Sequence, residues 1–395
     1  MTNWQELEKQ YFMNTVQRVP LALVKGQGAR VWDEQGYEYL DFVAGWAVDC
    51  LGHCHPAVVA AVTEQVKTLI QTSNQFYTIP QFRLAELLVK NSCLDKVFLC
   101  NSGTEATEGA VKLARRYGHH HLNGAYEVIT AINSFHGRTL AMTAATGQAK
   151  FQQSYIPLPA GFVNVAFNDF EAIKAATTEK TCAVMLEPVQ GEGGVNLPDD
   201  GYLTSVRDWC DRKGILLILD EIQTGIGRTG TLFAYERYGV EPDVMTLAKG
   251  LASGMPVGAI LAREKAAVFV PGDHGSTFGG NPVTCAAAYA TVKYVIDNDI
   301  SGNAGKMGRR FIDGLKGLKQ KYPAITDVRG CGLLVAMEFS TDIGGSLLTA
   351  CLDRGLLVNR VKPNALRFMP PLIIGAGEVD EALDILDKAL SDISG

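Results

Sequence analysis

Across residues 22–44 apolar positions alternate with turn formers, Gly26, Gly28 and Gly36 among them, and this pattern predicts short strands. His55-Pro56 then opens a helical period that runs to about Ile70, with Val58, Val59, Val62, Val66 and Leu69 on one face. From residue 97 strand and helix alternate. The apolar run 97–100 leads through Asn-Ser-Gly-Thr into a helical pattern reaching Tyr117. Further strands are predicted at 126–131, 182–186, 215–219, 243–247 and 257–262. Several of these runs are apolar on both faces, so an α/β fold with a mostly parallel central sheet flanked by helices is expected. After Asn281-Pro282 the pattern is helical to about Asn298 and then becomes a mixed α/β tail. Breaks near residues 50 and 290 divide the chain into 1–50, 51–290 and 291–395. The middle stretch forms a large domain, and the two ends together build a smaller α/β domain.

Composition narrows the class. A chain of 395 residues suits one large domain with a smaller partner. Forty-two acidic against 36 basic residues give a net charge of −6, which argues against nucleic acid or an anionic membrane as the main partner. The opening Met-Thr-Asn-Trp-Gln-Glu is charged where a signal peptide would be apolar. Runs such as 215–219 fall far short of the roughly 20 residues needed to cross a bilayer. Nine scattered cysteines, mostly in apolar surroundings, suit reduced thiols. A soluble, cytoplasmic protein is expected.

Three stretches carry chemistry. Asn101-Ser102-Gly103-Thr104-Glu105-Ala106 lies between a strand and a helix, where free amides, the helix dipole and two hydroxyls suit a phosphate; the plainer account is an N-cap with an acidic first turn. Asp220 ends an apolar strand, facing the crevice where α/β folds hold ligands. It could cap a loop, bind magnesium or pair with a cationic cofactor group, while zinc is disfavoured by the absence of neighbouring His or Cys. Lys249 follows a third apolar run and precedes Gly250, Gly254 and Pro256; buried, its amine would deprotonate more easily and attack a carbonyl. Phosphate cradle, strand-end acid and strand-end lysine, in that order, are what pyridoxal 5'-phosphate requires: an attachment point, a partner for the pyridine nitrogen and an anchor.

Ser102-Gly103-Thr104-Glu105-Ala106, Phe135-His136-Gly137-Arg138-Thr139, Glu187-Pro188-Val189-Gln190-Gly191-Glu192, Asp220-Glu221-Ile222-Gln223-Thr224-Gly225, Lys249 and Ser276-Thr277-Phe278-Gly279-Gly280-Asn281-Pro282 occur in order. Together they resemble the class III, ω-amino-acid aminotransferases of fold type I, nearly from end to end, and the acetylornithine-type members most. The resemblance implies that Lys249 carries the coenzyme, Asp220 pairs with its pyridine nitrogen, Gln223 bonds its phenolic oxygen and Phe135 stacks on its ring. Ser102, Gly103 and Thr104 would hold the phosphate. Thr277 would reach the phosphate of a neighbouring subunit's coenzyme, with Ser276 as a substrate contact there, so a homodimer with shared sites is implied. Arg138 would take the α-carboxylate of acetylornithine, and Arg367 that of glutamate or 2-oxoglutarate, as bidentate guanidinium clamps. Glu192 would cover Arg367 while the ω-amino substrate is bound.

Other readings carry their own signals. Cys50, His53, Cys54 and His55 crowd together like metal ligands, but Leu-Gly-His-Cys-His-Pro matches the family's opening of the first large-domain helix, and no metal is expected. His119, His120 and His121 suit a helix C-terminus. A nucleotide-binding module would need a Gly-x-x-x-x-Gly-Lys-Ser/Thr run, which is missing. An aminomutase would not need Arg367 and Glu192, and a catalytically dead regulator would not need Lys249 and Asp220. Gly45-Trp46-Ala47-Val48-Asp49 departs from the Gly-Ile-Ala-Val-Asn typical of acetylornithine enzymes, and Gly250-Leu-Ala-Ser-Gly-Met-Pro256 from a glycine-richer run. Both leave ornithine, succinylornithine, 4-aminobutyrate and acetyl-lysine-type donors open.

Overall fold

The computed structural model describes residues 3–394. Its centre is a seven-stranded sheet in the order Lys96–Cys100, Gly258–Ala262, Val244–Leu247, Leu216–Asp220, Thr181–Leu186, Glu127–Ala131, Phe162–Val165. Gly258–Ala262 runs antiparallel to both neighbours, and the remaining pairs are parallel. Every residue of the four strands from Gly258–Ala262 to Thr181–Leu186 is buried, which is why those runs read as apolar on both faces. Phe162–Val165 was not predicted. As an edge strand it is only half-buried, and Asn164 interrupts its apolar run to donate to the Thr130 hydroxyl at 2.6 Å.

Two four-stranded sheets complete the fold. One joins Leu23–Gln27, Arg30–Asp33 and Glu38–Asp41 to Leu356–Leu357, so both chain ends meet in a single sheet. The other has the order Ile325–Cys331, Leu334–Phe339, Ala365–Phe368, Asn359–Lys362. The break expected near residue 290 falls inside the continuous helix Pro282–Asp297. The helix expected after His55 spans Pro56–Thr68, with the His55 ring accepting from the Ala57 amide at 3.3 Å. Its apolar face is only partly a core face within the chain: Val58 is buried in the core and Val62 packs against it, whereas Val59, Val66 and Leu69 are exposed.

Helix Gly103–His121 brings its N-terminus to the carboxyl ends of these strands. Ser102 is its N-cap, with Oγ accepting from the Glu105 amide at 3.2 Å. Small residues let it lie close to the sheet; a Cβ at Gly109 would fall 2.3 Å from Ile260 Cδ1, and one at Gly118 would fall 2.0 Å from the Ala125 carbonyl oxygen. The segments after Cys100, Ala131, Leu186, Leu219 and Leu247 therefore converge on one edge of the sheet, the usual ligand crevice of an open α/β fold.

Candidate active site

A cavity of about 290 Å³ opens at that edge. Ser102, Gly103 and Thr104 line one part; Phe135, Asp220, Gln223, Lys249 and Glu192 line the rest. Lys249 starts a short 3-10 turn just beyond Val244–Leu247, with φ of 35°, a left-handed conformation that a non-glycine residue adopts at a cost of order 1–3 kcal/mol. Burial holds its amine below the ordinary lysine range, and Arg367 adds to this, against the pull of Glu192, Asp220 and Glu187. No carboxylate within salt-bridge distance neutralises it among the described residues.

Asp220 is buried and fixed on both oxygens. Oδ2 meets His136 Nδ1 at 2.7 Å, and Oδ1 accepts from Thr246 Oγ1 at 3.0 Å and from the Ile222 amide at 3.1 Å. Burial lowers the His136 pKa, but the hydrogen bond and charge of Asp220, with Glu187 behind them, outweigh it and leave the imidazole above its usual value. At the cavity, buried His136 Nε2 has no hydrogen-bond partner among the described residues, and Gln223 Nε2 has none beyond its approach to Glu192. Unmet buried polar groups cost about 1–3 kcal/mol each, and here they mark where a ligand's heteroatoms would bond.

Arg367 is buried on Ala365–Phe368, and each nitrogen of its guanidinium has a partner. Nη2 pairs with Glu192 Oε1 at 2.8 Å, Nη1 donates to Gln223 Oε1 at 3.0 Å, and Nε and Nη2 reach Asn359 Oδ1 at 3.1 and 2.9 Å. Burial alone would raise the Glu192 pKa, but the charges of Arg367 and Lys249 turn the shift downward and keep it ionised. Glu187 sits deeper in the wall, where burial and Asp220, against the pull of His136, lift its carboxyl to about 7.

Four predicted residues lie outside the cavity lining: Arg367, buried behind Glu192, together with Arg138, Thr277 and Ser276. Arg138 is exposed, its guanidinium 4.1 Å from the Phe151 ring centroid and 5.3 Å from that of Phe135. Thr277 is exposed and Ser276 half-buried; Ser276 Oγ accepts from Asn101 Nδ2 at 3.0 Å, which ties that segment to the cavity rim. His136 and Glu187 were not singled out in the sequence. Glu187 carries the signal that identified Asp220, an acid directly after a buried apolar strand, whereas nothing in the pattern distinguishes His136 from its motif neighbours.

The four crowded Cys and His side chains go separate ways. Cys50 Sγ donates to the Gly250 carbonyl at 3.0 Å, His53 Nε2 meets Asp41 Oδ2 at 2.8 Å, Cys54 is exposed, and His55 packs edge-on to Tyr294. In the variant loop, Ala44, Gly45, Trp46 and Ala47 all have positive φ; Trp46 is exposed, and Val48 touches the cavity. Burial raises the Asp49 carboxyl beside His53. The three histidines 119–121 close the last turn of their helix.

A lysine of lowered basicity, a clamped strand-end acid, a helix N-terminus and unpaired donors around one cavity on a fold type I scaffold define a pyridoxal-phosphate enzyme, and the chain belongs to the aminotransferase class-III family, whose profile matches residues 11–390. More particularly, it is 51% identical to the acetylornithine aminotransferase of Caldanaerobacter subterraneus over 98% of each chain. It is 48% identical to that of Methanocaldococcus jannaschii over 99% of this chain and 98% of the other. Among solved structures, the ornithine aminotransferase of Toxoplasma gondii superposes with a TM-score of 0.96 at 35% identity, covering 99% of this chain and 95% of that one. The N-acetylornithine aminotransferase of Stenotrophomonas maltophilia gives 0.85 at 38%, covering 98% and 99%.

Proposed function

We propose that the protein moves the δ-amino group of N2-acetyl-L-ornithine to 2-oxoglutarate, giving N-acetyl-L-glutamate 5-semialdehyde and L-glutamate in arginine biosynthesis. The observation that carries this reading is the Arg367–Glu192 pair, in which Glu192 lines the cavity that holds Lys249 and Arg367 is buried behind it. An ω-amino donor must present its terminal amine to the coenzyme, while glutamate must present its α-amine beside a gripped carboxylate. A buried arginine that an internal acid covers or releases serves both substrates in one pocket.

Pyridoxal phosphate, when bound, supplies the electron sink for negative charge at the substrate carbon. Lys249 attaches it and afterwards moves the proton between carbons through Nζ. Asp220, held by His136 and Thr246, keeps a proton on the ring nitrogen. Gln223 Nε2 would donate to the phenolic oxygen, and Phe135 would pack against the ring face. Ser102, the amides of Gly103 and Thr104, and the Thr104 hydroxyl bind the phosphate at the helix N-terminus. Arg138, at the rim, holds the α-carboxylate of acetylornithine. Thr277 and Ser276 act across the interface of a homodimer, at the partner's site. The enzyme works in the cytoplasm.

Free ornithine is the second reading, favoured by the close superposition on an ornithine aminotransferase. A donor panel with 2-oxoglutarate as acceptor separates the two. Acetylornithine should exceed ornithine and 4-aminobutyrate at least tenfold in kcat/KM, about 1.4 kcal/mol of differential transition-state binding. Equal values would end the substrate assignment and leave the reaction class standing. The wild type should be yellow, and borohydride should fix the coenzyme covalently to it but not to Lys249→Ala, which lacks the imine spectrum; covalent fixation in the variant would remove Lys249 from its role.

A further inference from the structure

Glu187 immediately follows the buried strand Thr181–Leu186 and is only 6% exposed, in the cavity wall. No basic side chain lies within salt-bridge distance among the described residues. Its two oxygens are divided between two loops. Oε2 accepts from the Phe135 amide at 3.0 Å, and Oε1 accepts from the Gly191 amide at 3.2 Å. The first loop carries the aromatic side chain facing the cavity, and the second leads directly into Glu192.

Gly191 is tightly held on its other side. A Cβ there would fall 1.7 Å from Gln223 Oε1, the atom that accepts from Arg367 Nη1 at 3.0 Å. Glu187, Gly191, Gln223 and Arg367 thus form a continuous series of contacts, and Glu192 closes it by pairing with Arg367 at 2.8 Å. The Glu192 side chain starts from the backbone at 191–192, so that backbone's placement sets how well its carboxylate reaches Arg367, and the Gly191 amide is the point at which Glu187 fixes it. A buried acid that served only packing would cost more than an apolar residue of similar volume. A carboxylate is the one side chain of this length that accepts on both oxygens at once.

We infer that Glu187 is a positioning residue that ties the Phe135 loop to the Glu192 loop, and that its grip on Gly191 sets how readily Glu192 uncovers Arg367. The proposal rests on the switch reading of Glu192 given above. It makes Glu187 a determinant of the balance between the two substrates rather than of either alone.

The test measures single-turnover kcat/KM for each half-reaction, acetylornithine with the pyridoxal form and glutamate likewise, in holoenzyme of the wild type, Glu187→Gln and Glu192→Gln. Gln at 187 keeps the volume but accepts on one oxygen only. Its glutamate-to-acetylornithine ratio should rise at least fivefold, in the same direction as that of Glu192→Gln, with the visible absorbance of the bound coenzyme unchanged. Equal slowing of both half-reactions, or a ratio within twofold of wild type, would overturn the coupling. If Glu192→Gln shifts the ratio and Glu187→Gln does not, the coupling alone fails; if Glu192→Gln also leaves it unchanged, the switch reading falls and takes the coupling with it. Should Glu187→Gln not fold, Glu187→Asp, too short to reach both amides, must give the same shift.

Discussion

Arg367 occupies a place where a cation survives only in company. At 1% exposure it depends on Glu192, Asn359 and Gln223 for every hydrogen bond it makes. Removing one partner of a fully buried pair costs about 3–5 kcal/mol, and less is expected here because Glu192 is partly open to the cavity, on the order of 1–3 kcal/mol. Glu192→Gln should therefore lower the thermal midpoint, and glutarate, a carboxylate able to take the vacated place, should raise it more in the variant than in the wild type. Calorimetry with and without glutarate checks this; equal shifts would place the anion elsewhere. His53 provides a pH-dependent counterpart. Its hydrogen bond to Asp41 raises its pKa against burial, and Asp41 and Asp49 both add charge. A folded pKa above 6.5 means that the pair's contribution is fully present below that value and is lost as pH rises through the folded pKa. The denaturant midpoint of the wild type should exceed that of His53→Asn most below pH 6.5, with the gap narrowing above it. A gap that widened with pH would reverse the sign.

Elements buried on both faces were the most legible from sequence. Leu216–Asp220 and Thr181–Leu186 are apolar throughout because both sides of each are covered, whereas Phe162–Val165 was missed because its edge position allows Asn164 a polar bond. The strand-end residues Asp220 and Lys249 were legible for the same reason, a polar group set against an apolar run, and the structure brings both to one cavity. Pattern alone puts a residue in a loop but does not say how far that loop stands from a cavity, and Thr277 and Arg138 lie outside the cavity lining. Nor does a pattern register close approach. Gly118 lies in a helical run where alanine would gain up to about 1 kcal/mol in propensity. Its missing Cβ, however, leaves room for the Ala125 carbonyl. Gly118→Ala should instead destabilise by about 1–3 kcal/mol through overpacking. Urea titration decides the sign.

At the scale of the whole molecule, a band of large apolar side chains faces outward: Phe76, Tyr77, Ile79, Phe82 and Phe278 are each more than half exposed. Phe278 adjoins Thr277, and the outward valines of Pro56–Thr68 add to the uncovered apolar surface. Large apolar side chains gathered on one surface mark a protein contact site. Sedimentation should give a particle of twice 42.6 kDa, and Ile79→Glu with Phe278→Glu should yield single chains that retain coenzyme poorly. A monomeric wild type with full activity would refute the shared site. The pairing of Leu356–Leu357 with Glu38–Asp41 has a consequence in time. During synthesis the amino-terminal strands wait for a segment about 300 residues downstream, some 15–60 s at ribosomal speeds of about 5–20 residues per second. The nascent polypeptide must keep that edge from finding another mate until translation is almost finished.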